Sequence, residues 1–264
     1  MTTPISLETQ AVTLGYEHNI IARDLSLHIP EGKFSVIVGA NGCGKSTLLR
    51  AMSRLLTPSA GLVLLNGQDI HSLPTRDVAK ILGLLPQSAI APDGIKVMDL
   101  IARGRFPHQK WFQPWREEDQ NAVDAAMKAT NITEFAQHNV DQLSGGQRQR
   151  VWVAMALAQE TPLLLLDEPT TYLDIAHQIE LMDLFQDLNR LQGHTLVAVL
   201  HDLNQACRYA DNLIAIKSGQ VMATGAPKDI VTEALIEDVF GLSCVILEDP
   251  ISGTPLVIPK SRQC

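Results

Sequence analysis

Residues 39–47 have the types and the order needed to hold a chain of phosphates. An apolar stretch at 34–38 leads into them, and a helical pattern follows. Glycines let the backbone curl until its N–H groups point at anionic oxygens, and the next helix adds its positive N-terminus. A lysine here reaches the β- and γ-phosphates, and the hydroxyl after it binds Mg²⁺. The predicted ligands of a nucleoside triphosphate and its Mg²⁺ are Gly39, Asn41, Gly42, Cys43, Gly44, Lys45, Ser46 and Thr47.

Two acids follow the apolar run at 163–166, which reads as a buried strand. Asp167 stands where a strand-end carboxylate can hold the Mg²⁺ that Ser46 also binds. Glu168 comes one residue later, so it points elsewhere and can orient or deprotonate a water at the γ-phosphate. Many strands end in aspartate, but the phosphate loop upstream turns this pattern into a strong prediction.

A second candidate phosphate site lies at Ser144, Gly145, Gly146 and Gln147, at the start of a predicted helix. Ser144 can cap that helix, and the paired glycines let the backbone approach an anion closely. In isolation an ordinary Ser-Gly-Gly cap would be the better interpretation. The position of these residues between a phosphate loop and an Asp-Glu strand favours the phosphate site instead.

The predicted elements place these residues in an α/β domain. Strands at 5–16 and 25–29 form an antiparallel region before the phosphate loop, and helices without a convincing strand occupy 88–159. From residue 163 strands alternate with helices, which indicates a parallel sheet. We expect a single domain over 1–264, made of a nucleotide-binding core with a β-subdomain (1–87 and 160–225), a helical subdomain (88–159) and a C-terminal extension with a hairpin (226–264).

The composition limits the classes of partner. The net charge of −8 and the pI of about 5.4 argue against a nucleic-acid partner, because phosphate binding usually leaves a basic footprint. We expect no signal peptide, and the longest apolar runs are too short to span a bilayer. The four cysteines lack metal-ligand spacing, so free thiols are expected.

Together these motifs resemble the nucleotide-binding subunits of ATP-binding cassette (ABC) transporters, over essentially the whole chain. The resemblance implies a P-loop NTPase (RecA-like) core with an antiparallel β-subdomain and an inserted α-helical subdomain. It also implies that two copies pair head to tail, with each ATP between one phosphate loop and the other copy's residues 144–147. Residues 143–147 correspond to the family's signature motif.

The resemblance assigns further roles residue by residue. Tyr16 matches the aromatic that stacks on adenine, and Gln87 the glutamine that senses Mg²⁺ and the attacking water. Asp174 belongs to the loop that contacts the second copy, and His201 matches the histidine at the γ-phosphate. Three of these residues have a plainer alternative interpretation. Tyr16 could be a strand-end aromatic and Gln87 a solvated turn residue. His201 could cap its own helix. Tyr172 departs from the family's usual small residue, which leaves its role open.

A single cassette with a short extension resembles the ATPases of bacterial ferric-siderophore, haem and vitamin B12 importers. The stretches 102–108, 143–150 and 201–209 carry this likeness, and the catecholate-siderophore branch is nearest. It implies polytopic permease subunits, a periplasmic substrate-binding protein and a place on the cytoplasmic side of the inner membrane. A regulatory ATPase and an iron–sulfur assembly factor remain alternatives. The aromatic residues that could either meet the permease or pack the helical insertion are Phe106, Trp111, Phe112 and Trp115.

Overall fold

The computed structural model describes residues 5–17, 19–88, 90–109, 114–171 and 173–261. Trp111, Phe112, Tyr172 and Cys264, on which the sequence prompted comment, lie outside this range. The chain forms two compact units, Met1–Ser72 with Thr195–Cys264, and Leu73–His194. Within the described residues, no helix is both long enough and apolar enough to cross a bilayer.

The elements alternate as expected of an α/β protein. The strands are β1 (Leu7–Tyr16), β2 (Asn19–Ile29), β3 (Phe34–Val38), β4 (Ala60–Leu65), β5 (Gln68–Asp69), β6 (Leu82–Leu85), β7 (Leu163–Asp167), β8 (Thr195–Val199), β9 (Asn212–Lys217), β10 (Gln220–Gly225), β11 (Cys244–Glu248) and β12 (Pro255–Pro259). The helices are α1 (Lys45–Met52), α2 (Thr75–Ile81), α3 (Val97–Ala102), α4 (Glu117–Ala129), α5 (Gly145–Ala158), α6 (Ile175–Gln192), α7 (Leu203–Tyr209), α8 (Pro227–Ile230) and α9 (Glu233–Phe240).

The first unit contains sheets of both kinds. β2, β1, β4 and β5 form an antiparallel sheet, which confirms the predicted β-region before the phosphate loop. β3 pairs in parallel with β8 on one side and β9 on the other, and every residue of β3 is buried. A strand whose residues are all buried is mostly apolar, which is why residues 34–38 show no alternation. Its one polar residue, Ser35, accepts a hydrogen bond from the Asn212 amide at 3.3 Å. β10 adds to β9 antiparallel, and β11 and β12 form the expected hairpin.

The second unit carries the predicted helices. β6 and β7 pair in parallel, and α3 and α4 pack on α5. Among the described residues between 88 and 159, the only β pairing is an isolated bridge from Lys96 to Asn139. These observations confirm the α/β fold class with its antiparallel region and helical insertion. The limits of the subdomains stay a prediction.

A few elements differ from the sequence-based expectation. β2 begins at Asn19 rather than at residue 25, because its pairing with β1 extends as far as Tyr16 and Asn19. β10 and the short helix α8 carry no clear sequence pattern and were not predicted. The exposed and half-buried residues of β10 explain this, since a strand without a buried face gives no alternation to detect.

The C-terminal hairpin is tied to α7. The Asn204 amide accepts from the backbone N–H of Val257 at 2.8 Å and donates to its carbonyl at 3.3 Å. One turn later, Arg208 donates to the Asp249 carboxylate at 2.6 Å. This contact, helped by backbone N–H groups in the hairpin turn, holds the pKa of Asp249 well below its usual range. The extension therefore supports the helix that follows His201.

A buried ion pair organises the start of α4. Arg105 donates to Asp119 at 3.1 Å, to the Ala158 carbonyl at 2.8 Å and to Glu160 at 2.6 Å. Burial opposes ionisation of Asp119, but the bond from Arg105 and the N–H of Arg116 outweigh it and lower the pKa of Asp119. Through these contacts Arg105 joins the turn after α3 to the first turn of α4 and to the last residue of α5.

Replacement of Asp119 by asparagine is expected to destabilise the protein by about 3 kcal/mol, because the buried Arg105 guanidinium loses its buried carboxylate partner and keeps only the exposed Glu160. Since the pKa of Asp119 is lowered on folding, its contribution exists above the unfolded value of about 4 and is lost as pH falls through the folded value. The difference between wild type and variant should therefore shrink in acid.

Urea denaturation at several pH values measures this prediction. The matched control is Glu118→Gln on the same helix, whose carboxylate is 76% exposed and pairs with Arg116 at the surface. An exposed ion pair of this kind contributes about 1 kcal/mol or less to the free energy of unfolding. Equal unfolding midpoints for the two variants would contradict the role given to the buried pair.

Candidate functional site

The phosphate loop, residues 39–44, is shaped by two glycines that no other residue could replace without a shift. A Cβ on Gly39 would lie 2.2 Å from the carbonyl oxygen of Ile216, in β9. Gly44 has a φ of 106°, and its Cβ would lie 2.9 Å from a methyl of Ile21 in β2. The Cys43 carbonyl accepts from the N–H of Gly219, in the turn between β9 and β10. Neighbouring strands thus hold the loop in its curl.

Lys45 is the first residue of α1 and its side chain turns back over the loop. The ammonium donates to the carbonyls of Gly39 at 2.8 Å and Ala40 at 3.1 Å, and the residue is 5% exposed. The first turn of α1 contains no acidic residue. A helix N-terminus, a curled backbone and a buried lysine meet here, and this donor set fits a chain of phosphates.

Tyr16 ends β1 and leaves 42% of its surface exposed. The Arg50 guanidinium lies 6.0 Å from the ring centroid, within cation–π range. An aromatic ring with one charged neighbour and remaining exposed surface can stack on a purine. The assignment of Tyr16 to adenine stays a prediction.

The Gln87 amide donates to the Glu168 carboxylate at 2.5 Å, so two of the predicted catalytic residues meet in the second unit. Gln87 follows β6 and Glu168 follows β7, and these parallel strands end at the same edge. Thr171 also donates to Glu168, at 3.4 Å. Glu168 has a φ of 51°, which turns it away from the strand direction. Asp167, the last residue of β7, is 7% exposed.

The start of α5 has the predicted form of a capped helix. The Ser144 hydroxyl accepts from the backbone N–H of Gln147, whose side chain accepts from the N–H of Ser144. A Cβ on Gly146 would touch Leu173 at 3.3 Å. A cleft of about 490 Å³ opens here, which we call the signature cleft. It is lined by Asn131, Ile132, Glu134, Phe135, Ser144, Gly145, Gly146, Gln147, Arg150, Asp174 and His177.

Asp174 lies in the signature cleft as the N-cap of α6. Its carboxylate accepts from the backbone N–H of His177 at 2.9 Å, and its other oxygen lies 2.8 Å from His177 Nδ1. The backbone bond, reinforced by the ring, lowers the pKa of Asp174. Sequence reasoning missed His177. Part of the signal was available, because an aspartate before a helix is a typical N-cap whose carboxylate accepts from a backbone N–H two or three residues later.

His201 follows β8 and is exposed. The cap of α7 is Asp202, whose carboxylate accepts from the N–H groups of Asn204 at 2.8 Å and Gln205 at 3.0 Å. The alternative that His201 caps its own helix is therefore wrong. Its contact with a γ-phosphate stays a prediction.

Ser46, Gln87 and Asp167 offer hydroxyl, amide and carboxylate oxygens, the ligand types that Mg²⁺ prefers. Among the residues that the structure describes, no group of three or more His, Cys, Asp and Glu side chains could hold a metal ion.

Two of the four aromatic residues considered for a permease contact can be placed. Phe106 is 62% exposed and Trp115 is 43% exposed, with the Trp115 indole donating to Gln120 at 3.1 Å. Phe106 therefore does little to pack the helical insertion.

Comparison with known proteins identifies the class. The model of the ABC transporter family matches residues 22–171. A ferric enterobactin transport ATP-binding protein of Escherichia coli (strain K12) is 57% identical, over 97% of this chain and 94% of that protein. The chain therefore belongs to the ABC transporter family, as the sequence motifs predicted, and is one of its ATPases.

Other relatives are ATP-binding proteins named for the import of petrobactin and of iron(3+)-hydroxamate. A petrobactin import ATP-binding protein of Bacillus anthracis is 51% identical, over 97% of this chain and 94% of that protein. An iron(3+)-hydroxamate import ATP-binding protein of Bacillus subtilis (strain 168) is 46% identical, over 96% of this chain and 94% of that protein.

A solved ATP-binding cassette is similar in structure. It is a dimer in a post-hydrolysis state bound to ADP and phosphate, with a TM-score of 0.74 and 29% identity, over 83% of this chain and 98% of that chain. This likeness supports the predicted nucleotide ligand.

Alkylation of Cys43 by a maleimide is expected to slow when ATP and Mg²⁺ are added, because this buried thiol lies inside the phosphate loop. Cys207 is the internal control, since burial raises its pKa to about 11 and keeps it unreactive in both conditions. Peptide mass spectrometry reads each site separately. Equal labelling of Cys43 with and without nucleotide would count against the loop as the ATP site.

Proposed function

We propose that this protein is the ATP-hydrolysing subunit of a bacterial importer of ferric siderophores, of the catecholate type. The observation that carries the proposal is the 57% identity to a ferric enterobactin transport ATP-binding protein over nearly the full length of both chains. The relatives named for petrobactin and achromobactin support a siderophore cargo as well, at 51% identity each.

Nucleotide binding is assigned to the phosphate loop. Lys45 would exchange the Gly39 and Ala40 carbonyls for the β- and γ-phosphates, and the loop N–H groups would hold the remaining oxygens. Tyr16 would stack on adenine. Ser46, Gln87 and Asp167 would hold Mg²⁺, which neutralises charge on the phosphates when bound. These groups position and orient the triphosphate, and positioning with charge neutralisation is the main source of catalysis in phosphoryl transfer.

Hydrolysis is assigned to Glu168 with Gln87 and His201. Glu168 would accept the proton of the attacking water, and the bond from the Gln87 amide fixes the carboxylate in place. His201 would donate to the γ-phosphate as charge builds on it. Because Gln87 touches the catalytic carboxylate, movement of the segment after β6 would change hydrolysis directly.

Two copies of the chain would pair head to tail around two ATP molecules. The capped N-terminus of α5, with Ser144 and Gly146, would supply N–H donors to the γ-phosphate bound by the other copy. Dimeric structures of similar cassettes support this arrangement. Permease subunits would bind the dimer at the cytoplasmic side of the inner membrane, with exposed Phe106 as a candidate contact, and a periplasmic binding protein would deliver the cargo.

Other cargoes and roles fit less well. A cobalamin import ATP-binding protein of Halobacterium salinarum (strain ATCC 29341 / DSM 671 / R1) is 41% identical and matches over 60% of its own length, whereas the siderophore relatives are more similar. None of the relatives described here is named for a haem importer, a regulatory ATPase or an iron–sulfur assembly factor.

Glu168→Gln is expected to keep ATP binding and to lose nearly all hydrolysis, because the amide keeps the shape of the carboxylate without its basicity. Cells that depend on this protein for uptake of an iron–catecholate siderophore should then stop importing it. Nucleotide binding, phosphate release and uptake of radioactive iron measure the three effects. Uptake at the wild-type rate in cells whose only copy of the protein has lost hydrolysis would exclude the proposed import function.

Gly146→Asp should bind ATP as a monomer but fail to dimerise, since a carboxylate would meet the γ-phosphate at the signature cleft. Lys45→Ala should fail because its ATP site is lost. When the two variants are mixed, one composite site has both an intact loop and an intact signature, so some ATP-dependent dimerisation should return. Analytical gel filtration detects it. A Gly146→Asp variant that dimerises normally by itself would refute head-to-tail pairing.

A further inference from the structure

The signature cleft carries more negative than positive charge. Glu134 and Asp174 line it together with Arg150, which is already paired with Glu180 at 2.8 Å. With His177 neutral, the lining supplies two carboxylates and one guanidinium, and that guanidinium is already paired outside the lining. A γ-phosphate that enters the cleft from another copy would bring further negative charge, which is unfavourable in a partly desolvated site.

His177 is the group that can relieve this repulsion. It lines the cleft at the start of α6, and Asp174 fixes its ring through Nδ1 at 2.8 Å. Within the described part of the chain, the other ring nitrogen, Nε2, has no hydrogen-bond partner. The imidazole is 42% exposed, so a proton from solvent can reach Nε2 without a large structural change.

We propose that His177 takes up a proton when the signature cleft receives the γ-phosphate, so that closure of the ATP-bound dimer is coupled to protonation at this residue. The inference rests on the proposed head-to-tail dimer and adds a positioning residue to it. The imidazolium neutralises Asp174 and leaves its Nε2–H as a donor for the incoming anion. By linkage, a dimer that binds more protons than its monomers is favoured as pH falls.

A purely structural role for His177 gives a different result. The residue also helps to cap α6 through its backbone N–H, and a cap contributes to the stability of each monomer. Loss of such a role would lower the melting temperature of the monomer. It would not change how dimerisation responds to pH.

The experiment uses the Glu168→Gln protein, in which ATP is bound without turnover, and measures ATP-dependent dimerisation by sedimentation velocity between about pH 6 and about pH 8. With His177 present, ATP-dependent dimerisation should weaken on the order of tenfold as the pH rises over this interval. His177→Gln should dimerise weakly at all pH values with a smaller pH slope. His177→Arg should dimerise strongly at all pH values, because its charge is permanent.

His28→Gln is the matched control, since His28 is exposed on β2 and does not line the cleft. A pH slope that persists unchanged in both His177 variants belongs to other groups, such as His201, and overturns the proposal. If the Glu168→Gln protein fails to dimerise with ATP at any pH, the head-to-tail dimer itself is refuted, and His177 loses its role with it. Dimerisation that is strong but insensitive to His177 refutes this inference alone.

Discussion

The close approach of the phosphate loop to the strands beside it is the constraint on which the rest of the structure depends. Gly39 meets the backbone of β9 and Gly44 meets a side chain of β2, at distances that exclude a Cβ. Gly219 meets the backbone of β2 in the same way, with its Cβ placed 2.0 Å from the Ile21 carbonyl. Because every residue of β3 is buried, the phosphate loop begins at the end of a rigid strand. The cradle is thus preorganised, and binding a phosphate chain costs little reordering.

Helix N-termini are used at three places for different purposes. At α1 the N-terminus carries no side-chain cap and adjoins Lys45, which leaves its N–H groups for an anion. At α5 the capping box of Ser144 and Gln147 satisfies part of the N-terminus while Gly145 and Gly146 keep it accessible. At α7 the Asp202 carboxylate occupies the N-terminus, which favours structure over ligand binding. The charge at each N-terminus therefore decides whether an external anion or the chain's own carboxylate can occupy it.

Polar contacts between elements support the functional residues without touching a nucleotide. Asn204 and Arg208 anchor the C-terminal hairpin on α7, the helix that starts just after His201. Arg105 and Asp119 join three segments of the helical unit whose helix α5 begins at the signature residues. Buried or half-buried pairs of this kind are geometrically demanding, so they fix the direction of a helix more strictly than apolar packing does.

The sequence alone determined the family, the phosphate loop and the order of most elements, because each depends on residue types at short, fixed spacings. The long apolar strands and the capped helix at Ser144 could be recognised locally for the same reason. Only the tertiary structure showed the bond between Gln87 and Glu168, the contact of Asn204 with Val257 and the place of His177 in the signature cleft. The first two join residues distant in sequence, and the third requires the shape of a cleft built from separate helices, which no local pattern encodes.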